Sequence, residues 1–515
     1  MPTTYLDLIR RGAQHHADRI AIEFEGVTLT FSQVDQLSNQ LAHALAGLGL
    51  TRGNCLALLM NNGLYSVPMD FACVKAGINR VPLNARLSVP EQARMLSETG
   101  CRHLVFAADQ SERAAQLRAH LDQLETYGLG SAPAGGQDLL ALASAERCDA
   151  PHVGVQPDDV VITLFTSGTT GTLKAAQLTQ ASYAAVCRNI LLNLPSVEPD
   201  DAMLHAASLI HASGVFVLPY WLRGARTVVL PGFEPQRYLE RIEQAGITAI
   251  NLVPTMLQML LEHPDFAPER LASLRHVIYG ASPMPQPVIE RAIALLGQER
   301  FWQYYGQTEC PLAIAVLRPE DHVAPLLGAC GRPSLEVEIR LVDESGNDVP
   351  TGKAGEIAVR APMMMTGYFN APELNQDMHL PGGWLRTRDI GVFDERGYLH
   401  LKDRTSDMII TGGYNVYPRE IEDILLQHPA VAECAVVGLP DTKWVEAVTA
   451  VVVLRPGASA DEAELIGFVA ARAAAYKKPQ RVILTHSIPK TLVGKLNRRV
   501  LREQLKAQHN GPAHA

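Results

Sequence analysis

The chain has 515 residues, of which 47% are hydrophobic and 19% are charged, and its formal net charge is -9. This length predicts two or more domains, and the acidic balance argues against general binding to nucleic acid or to anionic membranes. The eight cysteines include no CxxC pair, as is typical of reduced thiols in the cytosol. The N-terminus has charges where a signal peptide needs an apolar core, and no run reaches the roughly 18 apolar residues of a membrane span. We therefore expect a cytoplasmic protein with small-molecule partners.

From Ile20 to about Val337, apolar runs rich in β-branched residues alternate with longer helical patterns. This alternation predicts parallel strands covered by helices, with ligand sites beyond the carboxyl ends of the strands. One run, VVITLF at residues 160–165, is followed by the helical pattern ASYAAVCRNILL. A parallel strand, a loop at its carboxyl end and a helix are therefore expected here.

The pattern changes twice in the last third of the chain. After about Ser334, short strands and turns predict a β-rich subdomain, and from about Asp407 a helix, two strands and a second helix predict a small α+β domain. The predicted fold class is α/β, with a large N-terminal domain of α/β sheets that includes the β-rich subdomain, followed by the small C-terminal domain. We place the two domains at residues 1–404 and 405–515.

The loop at residues 166–174, TSGTTGTLK, combines hydroxyl groups, glycines and a lysine. Backbone amides on such a loop can point at an anion, because glycine adopts the required dihedral angles without steric cost. A P-loop would need GxxxxGK[ST], but Lys174 follows Leu173 and precedes Ala175. The Walker motif is therefore excluded, and a phosphate-binding loop or an ordinary polar turn remains.

Four later polar segments, taken one at a time, also fit structural turns or exposed surface. They are QYYGQTE (303–309), GWLRTRD (383–389), LKDRTSDMIITGGYNVYPREIE (401–422) and PKTLVGKLNRR (489–499). The carboxylate of Glu309 could bind a hard cation through oxygen, and Lys495 follows a glycine near the C-terminus.

Together and in this order, the loop and these segments resemble the adenylate-forming superfamily of acyl-CoA synthetases, luciferases and peptide-synthetase adenylation domains. The resemblance extends over nearly the whole chain, from the LTFSQVDQLSNQLAHAL region to Lys495. It implies that ATP activates a carboxylic acid to acyl-AMP with release of pyrophosphate, and that a thiol then displaces AMP. Because this chemistry brings two anions together, the placement of cations and dipoles is its main requirement.

The resemblance also implies a nucleotide site. Glu309 would bind Mg²⁺, and Asp389, assisted by Arg404, would accept hydrogen bonds from the ribose hydroxyls. The residues that would contact the ATP phosphates are Thr166, Ser167, Gly168, Thr169, Thr170, Gly171, Lys174 and Thr308. Those that would enclose the adenine are Gly280, Ala281, Ser282 and Tyr305.

Lys495 is the implied catalytic residue, because a compact ammonium can neutralise the charge that builds up as carboxylate and α-phosphate meet. The small domain is mobile in this family, so it would close for this step and then rotate. The second orientation would present Gly412, Gly413 and Tyr414 to coenzyme A. Lys477 is a candidate contact for the phosphates of coenzyme A, although a solvent-facing basic patch explains it equally well.

Three positions depart from the family pattern. Arg388 stands where the family has glycine, which puts the local backbone shape in doubt. Ser406 occupies the hinge position, where an aspartate or lysine is usual, so the charge contact that often biases the two domain orientations is expected to be absent. The loop ends in Leu173-Lys174-Ala175 instead of Pro-Lys-Gly.

The acid pocket would be formed by His211, Val215, Tyr304 and Gly306. His211 matches a position close to the acyl carboxylate with a role in catalysis, although a packed core histidine is the alternative. An amino-acid-activating domain would have an aspartate shortly after this position, and HASGVFVLPYW contains no carboxylate. An unpaired ammonium would be costly in such a site, so the expected substrate is a fatty or aryl acid, with a medium-to-long fatty acid preferred.

Coenzyme A is the expected acceptor, since no carrier domain follows in the sequence. An acyl-AMP ligase that loads a separate carrier protein remains an alternative. A luciferase-like oxygenase would share every motif, and a catalytically idle binding protein on the same fold would also remain possible. A homodimer is left open.

Overall fold

The computed structural model describes residues 3–132, 136–167, 173–209, 212–411, 414–441, 444–491 and 496–509. The helices of these residues, in chain order, are α1 (Tyr5–His15), α2 (Phe31–Gly47), α3 (Ser66–Lys75), α4 (Val89–Thr99), α5 (Ser111–His120), α6 (Leu139–Ser144), α7 (Gln180–Asn193), α8 (Val217–Arg223), α9 (Pro235–Ala245), α10 (Pro254–Glu262), α11 (Gln286–Leu296), α12 (Pro372–Met378), α13 (Pro418–Leu425), α14 (Glu462–Ala470) and α15 (Arg498–His509).

The strands, numbered in chain order, alternate with these helices in the first two thirds of the chain and dominate after residue 330. They are β1 (Ile20–Phe24), β2 (Val27–Thr30), β3 (Cys55–Leu59), β4 (Asn79–Pro82), β5 (His103–Ala107), β6 (Glu125–Leu129), β7 (Gln137–Asp138), β8 (Val160–Ser167), β9 (Leu173–Thr179), β10 (Ala202–His205), β11 (Arg226–Val229), β12 (Ala249–Leu252), β13 (His276–Gly280), β14 (Phe301–Gln307), β15 (Cys310–Leu317), β16 (Arg332–Pro333), β17 (Glu338–Val342), β18 (Gly355–Arg360), β19 (Gly367–Tyr368), β20 (His379–Leu380), β21 (Trp384–Phe393), β22 (Leu399–Arg404), β23 (Ile409–Thr411), β24 (Tyr414–Val416), β25 (Val431–Asp441), β26 (Val445–Leu454) and β27 (Arg481–Leu484).

Several helix boundaries follow from local sequence signals. Thr30, Ser88 and Thr179 are the N-caps of α2, α4 and α7, and each forms a capping box with the residue three positions later. These reciprocal bonds satisfy backbone N–H groups that have no partner inside the helix. Gly100 ends α4 with a φ of 64°, a left-handed conformation that glycine adopts without steric cost.

The predicted parallel α/β architecture is confirmed, but the strands divide into two large sheets. One sheet has the order β16-β15-β14-β13-β12-β10-β11-β1-β2, and the other has the order β19-β9-β8-β4-β3-β5-β6-β7. The chain begins in the first sheet, builds the second with β3 to β9, and returns to the first with β10. The strands at the centre of both sheets are parallel, and antiparallel strands such as β9 and β15 extend them.

The expected order of strand, loop and helix after residue 160 is wrong in one respect. β8 is followed by the antiparallel strand β9, and only then does α7 begin. The sequence of β9, LKAAQLT, has small and polar residues in place of β-branched ones, so its strand signal is weak. Pairing with β8 along its whole length decides its conformation.

The remaining strands form two smaller sheets. One is antiparallel, with the order β17-β18-β21-β20 and β22 beside β21, and it corresponds to the predicted β-rich subdomain. The other has the order β24-β23-β26-β25 with β27 beside β26, and α13, α14 and α15 pack on it. The boundary between residues 404 and 405 remains a prediction; β22 ends at Arg404, and the strands of the last sheet begin at Ile409.

The largest apolar core joins the two large sheets. It contains Ile162 of β8, Met203 of β10, Ala249 of β12 and Cys187 of α7, all of them buried. This packing holds the carboxyl ends of both sets of parallel strands in a fixed relation, which is where ligand sites are expected in such sheets. In the part of the chain that the structure describes, no helix has both the length and the apolar character to cross a membrane.

Candidate active site

The hairpin between β8 and β9 holds the ends of the predicted phosphate loop side by side. Thr166 pairs with Lys174, and Ser167 pairs with Leu173. β8 runs parallel to β4, so the loop lies at the carboxyl end of a parallel strand, as expected. The central residues of the loop lie outside the described residues; they are Gly168, Thr169, Thr170 and Gly171.

A second hairpin turn, from the other large sheet, carries two predicted site residues. Gln307 pairs with Cys310, so Thr308 and Glu309 form the turn between β14 and β15. Both of these residues are half-buried. The turn thus offers a hydroxyl and a carboxylate at the carboxyl end of β14.

Tyr368 connects the two hairpins. Its hydroxyl donates a 2.5 Å hydrogen bond to Oε1 of Glu309, and Nζ of Lys174 lies 5.6 Å from the centroid of its ring. Burial, followed by the charge of Glu309, raises the pKa of Tyr368, so the phenol stays protonated and remains a donor. The ring of Tyr368 therefore lies near Lys174, the predicted phosphate-binding lysine, and its hydroxyl binds Glu309, the predicted Mg²⁺ ligand.

Tyr368 was not among the site residues predicted from the sequence. It lies on the two-residue strand β19, which pairs with β9 at Ala176. Its position depends on this pairing between residues far apart in the chain. Its local sequence, TGYF, is one threonine, one glycine and two aromatic residues, which did not mark Tyr368 as a site residue.

Asp389 lies at the meeting point of the β-rich subdomain and β14. Its Oδ2 accepts a 2.6 Å hydrogen bond from the hydroxyl of Tyr305, and its Oδ1 lies 3.5 Å from Nε of Arg404. Burial raises the pKa of Asp389, although Arg404 and the Tyr305 hydroxyl oppose the shift. A carboxylate has acceptor capacity beyond these two contacts, so the arrangement fits ribose hydroxyls.

The backbone beside Asp389 keeps the shape that glycine would allow. Arg388 has a φ of 63°, a left-handed conformation that costs a non-glycine residue roughly 1–2 kcal/mol. Its N–H donates to Glu356 at 3.1 Å, and its carbonyl accepts hydrogen bonds from the backbone and side chain of Thr405 at 2.9 and 3.0 Å. The guanidinium forms an ion pair with Asp377. Arg388 thus adopts a backbone conformation that glycine favours, although its presence in place of glycine had put the local backbone shape in doubt.

The strand end predicted to border the adenine is a close contact between β13 and β14. A Cβ atom added to Gly280 would lie 2.4 Å from the carbonyl oxygen of Tyr304 and 2.8 Å from its ring. Ala281 follows with a φ of 66°, and Ser282 is half-buried. Gly306 is similarly confined, because an added Cβ would come within 3.0 Å of the backbone of Leu312.

Part of the predicted acid pocket lies against β14. Val215 belongs to the 3-10 helix Ala212–Phe216, and the ring centroid of Phe216 lies 6.3 Å from that of Tyr304 in an edge-to-face arrangement. Tyr304 also has a polar neighbour, since Nδ2 of Asn251 lies 3.4 Å from its hydroxyl. The expected pocket was apolar and did not include this amide. His211 lies outside the described residues.

The predicted coenzyme A contacts lie in the small domain. The ring of Tyr414 stacks on that of Tyr476 at 4.6 Å. Lys477 is not a free cation, because its ammonium forms an ion pair with Glu420, which Lys402 also contacts at 2.9 Å. Beside Lys477 is a cavity of about 270 Å³. Gly412, Gly413 and Lys495 lie outside the described residues.

Ser406, the predicted hinge, carries no charge, and the residue after it forms a charge contact within the predicted small domain. Ser406 donates only a 3.4 Å hydrogen bond to Asp407, whose carboxylate lies 3.3 Å from Nη1 of Arg498. Arg498 also forms a 2.6 Å ion pair with Glu422. These contacts fasten the start of α15, close in sequence to Lys495, to α13 and to the hinge. Arg498 was missed because the sequence cannot show which carboxylates α15 meets.

Comparison with known proteins supports the resemblance. The sequence matches the family model of the AMP-binding enzymes over residues 9–369 and that of the AMP-binding enzyme C-terminal domain over residues 420–495. It is 36% identical over 492 residues to a feruloyl-CoA synthase from an Amycolatopsis species, covering 94% of this chain and 96% of that protein. It is 35% identical over 516 residues to the medium/long-chain-fatty-acid–CoA ligase FadD8 of Mycobacterium tuberculosis, covering 97% of this chain and 90% of that protein.

The structure is similar to that of the amide bond synthetase McbA from Marinactinospora thermotolerans. The TM-score is 0.89 at 33% sequence identity, and the match covers 97% of this chain and 99% of the other. Sequence and structure agree over both the large and the small parts of the protein. The chain therefore belongs to the AMP-binding enzymes, the adenylate-forming superfamily that its motifs resemble.

Proposed function

We propose that this AMP-binding enzyme is an acyl-CoA synthetase. It activates a carboxylic acid with ATP to acyl-AMP and pyrophosphate, and then transfers the acyl group to coenzyme A. The observation that carries the proposal is the position of Tyr368, which contacts both Lys174 and Glu309. One residue thereby links a cation suited to a leaving pyrophosphate and a carboxylate suited to a divalent ion.

Lys174 and Glu309 have complementary roles in this proposal. Lys174, at the end of the phosphate loop with Thr166 and Ser167, neutralises the β- and γ-phosphates. Glu309, held by Tyr368, would bind Mg²⁺, and Thr308 contacts the α-phosphate. A bound Mg²⁺ neutralises phosphate charge and orients the oxygens for displacement. Every one of these roles depends on the two hairpins staying together.

The nucleoside would lie between β13 and the β-rich subdomain. Asp389 accepts the ribose hydroxyls while Arg404 balances its charge, and the hydroxyl of Tyr305 fixes the carboxylate. Gly280, Ala281 and Ser282 line the adenine, where the absence of a side chain on Gly280 leaves room for Tyr304 beside the strand end.

The small domain supplies the remaining chemistry. Its Lys495 would neutralise charge in the adenylation step, in which His211 of the large domain would be the residue at the acyl carboxylate. Gly412, Gly413 and Tyr414 border the path of the coenzyme A arm after the domain rotates about Ser406. We also expect a cytoplasmic enzyme, and a homodimer is testable by light scattering.

Three classes of molecule are candidates for the acceptor of the acyl group. Lys477 already pairs with Glu420, so it reaches a coenzyme A phosphate only if that ion pair opens. A carrier protein is therefore the second candidate acceptor, and an amine is a third, because one structural relative is named an amide bond synthetase.

The test is pyrophosphate release from ATP with a panel of fatty, aryl and amino acids, each with and without coenzyme A. We expect sustained turnover that requires coenzyme A and a fatty or aryl acid. Release that stops near one equivalent per enzyme despite coenzyme A would indicate a different acceptor. Release with no acid of the panel would contradict the proposed activity.

A matched pair of variants tests the role of Tyr368. Tyr368→Phe removes its hydrogen bond to Glu309, and we expect the Mg²⁺ concentration for half-maximal activity to rise by about 10-fold. Tyr398→Phe is the control, because Tyr398 donates a similar 2.6 Å bond to Asp321 away from the site. Equal Mg²⁺ titrations for both variants would contradict the placement of Mg²⁺ at Glu309.

A further inference from the structure

Three strands of the first large sheet, the neighbours β10 and β12 and the strand β14 beyond β13, carry polar side chains on the face of the predicted acid pocket. Residues two apart along a strand point to the same side. His205 lies two residues after Met203, and Asn251 lies two residues after Ala249. Met203, Ala249 and Tyr304 all belong to the core cluster on one side of the sheet, so His205 and Asn251 point to the side on which Tyr304 lies.

His205 ends β10 and is completely buried. Its Nδ1 lies 2.8 Å from Oγ of Ser213, but its Nε2 has no hydrogen-bond partner among the residues that the structure describes. Ser213 is itself buried and lies two residues before Val215 on the 3-10 helix. The free nitrogen therefore belongs to a side chain fixed between the sheet and a wall of the pocket.

The imidazole of His205 is uncharged near neutral pH. Burial lowers its pKa to about 4, although the hydrogen bond with Ser213 opposes the shift. Ser213 can donate to Nδ1 or accept from it, so Nε2 is left either as a donor or as an acceptor. In both cases it can form one further hydrogen bond with a neutral group.

The neighbouring polar group is also weakly satisfied. Nδ2 of Asn251 lies 3.3 Å from the carbonyl of Ile278 and 3.4 Å from the hydroxyl of Tyr304, at the long end of the hydrogen-bond range. The rings of Tyr304 and Phe216 beside it form an edge-to-face pair. The site thus combines a wall suited to a flat ring with polar atoms beneath it.

We propose that His205 determines which acid is used, by forming a hydrogen bond through Nε2 to a neutral polar group on the part of the acid remote from its carboxylate. The fitting class is an aryl acid with a ring hydroxyl. This inference rests on the proposed function and narrows its substrate from fatty or aryl acids to hydroxylated aryl acids. It differs from the preference for a medium-to-long fatty acid drawn from the sequence.

A hydroxyl is favoured because it supplies the hydrogen bond that Nε2 lacks. A hydrocarbon tail leaves this buried atom unpaired, and an unpaired polar group is costly in a water-free site. A second carboxylate or an ammonium on the tail would meet a neutral ring and no counter-charge. A hydroxyl both donates and accepts, so it matches either tautomer of His205.

The experiment compares kcat/KM for 4-hydroxycinnamate, cinnamate and octanoate in pyrophosphate release. For the wild-type enzyme we expect 4-hydroxycinnamate to exceed cinnamate by about 10- to 100-fold, since a site with an unpaired polar group rejects the analogue that lacks the partner. In His205→Leu this ratio should fall towards one. In His205→Gln, whose amide can replace the imidazole hydrogen bond, part of the ratio should return.

A matched control separates this role from general damage to the sheet. His276 also has a buried nitrogen without a partner, but it lies at the start of β13, away from the carboxyl ends of the strands. His276→Leu should keep the ratio of the wild-type enzyme. If His205→Leu does not fold, the ratios in the wild-type enzyme and in His205→Gln still decide the matter.

The outcomes distinguish this inference from the proposed function. Wild-type enzyme that uses octanoate or cinnamate as well as 4-hydroxycinnamate overturns the inference and retains the acyl-CoA synthetase. A hydroxyl preference that His205→Leu and His205→Gln leave intact also overturns the role of His205. Absence of pyrophosphate release with every acid overturns the proposed function itself.

Discussion

Two clusters of ion pairs in this molecule use similar side chains in different surroundings. The first is centred on Arg80, whose guanidinium contacts Asp70 and lies 5.4 Å from the ring of Tyr5 and 5.2 Å from that of Tyr183. Arg80 is only 1% exposed. Its Nη1 also donates to the carbonyl of Val161 at 2.9 Å, so helices and strands from the first half of the large domain meet at one cation.

The second cluster is centred on Glu420 of α13. Its carboxylate contacts Lys477 of the small domain and Lys402 of β22, on the other side of the predicted boundary. Burial opposes ionisation of Glu420, but the two lysines hold its pKa below the ordinary value. All three side chains keep 23–32% of their surface exposed.

The two clusters differ in whether their ion pairs can open. Breaking the Arg80 cluster would leave a charge in a site that water cannot reach, and such a loss is strongly destabilising. The Glu420 cluster can open because water can replace each lysine, and ion pairs of this exposure contribute little. The difference in burial therefore predicts that the Arg80 cluster stays fixed, whereas the domain contact at Glu420 can rearrange.

The largest expected effect is the loss of the carboxylate that pairs with the core cation. Asp70→Ala leaves the charge of Arg80, whose side chain is 1% exposed, without its partner, and we expect the free energy of unfolding to fall by about 3–5 kcal/mol. Urea unfolding followed by tryptophan fluorescence measures this change. Arg52→Met is the control, because Arg52 pairs with Asp159 at 2.7 Å but is 42% exposed, and its loss should be below about 1 kcal/mol. Equal losses would remove the distinction between the clusters.

The next effect tests whether the small domain supplies the charge needed for adenylation. Lys495→Ala removes the cation expected at the reacting groups, and the rate of pyrophosphate release should fall by about 100- to 1,000-fold while ATP still binds. Lys490→Ala is the control in the same segment, because Lys490 pairs with Glu433 at 3.1 Å. An unchanged rate in Lys495→Ala would show that this domain does not supply the catalytic charge.

The sequence predicted the site where its residues belong to local motifs. Lys174, Thr308, Glu309 and Asp389 follow from short segments whose order along the chain is distinctive. Tyr368 could not be predicted, because its place depends on the pairing of β19 with β9. Long-range pairing of this kind leaves almost no signal in the residues themselves.

Prediction of the fold from the sequence was limited in the same way. Alternating apolar runs predicted parallel strands and covering helices, but not that β10 would return to the sheet that β1 had begun. The hinge region is a further example, because the ion pair between Asp407 and Arg498 was not predicted from the sequence. A side chain's partner depends on tertiary packing, which local sequence patterns do not specify.

A smaller effect concerns pH at the domain contact. Asp403 accepts hydrogen bonds from the N–H groups of Arg404 and Arg419, and burial raises its pKa to about 6 although Arg498 opposes the shift. The folded chain therefore holds a proton that the unfolded chain releases from about pH 4 upwards. Relative to Asp403→Asn, the wild-type protein should lose stability as pH rises from about 4 to above 6, by on the order of 2 kcal/mol. Parallel stability curves for the two proteins would contradict this.

The smallest effect tests the Glu420 cluster directly. Lys402→Met removes the only one of its three charges that lies before the predicted boundary at residue 404, so Glu420 keeps Lys477 and stability should change by less than about 1 kcal/mol. This contact exists only in a domain orientation that brings β22 and α13 together, so its loss shifts the balance between orientations. The ratio of the adenylation rate to the thioester-forming rate should then change by about 2- to 5-fold, which corresponds to about 0.3–1 kcal/mol. Single-turnover measurement of each half-reaction gives this ratio, with Lys353→Met, an exposed lysine before β18, as the control. An unchanged ratio in Lys402→Met would mean that the cluster is as passive as an ordinary surface ion pair.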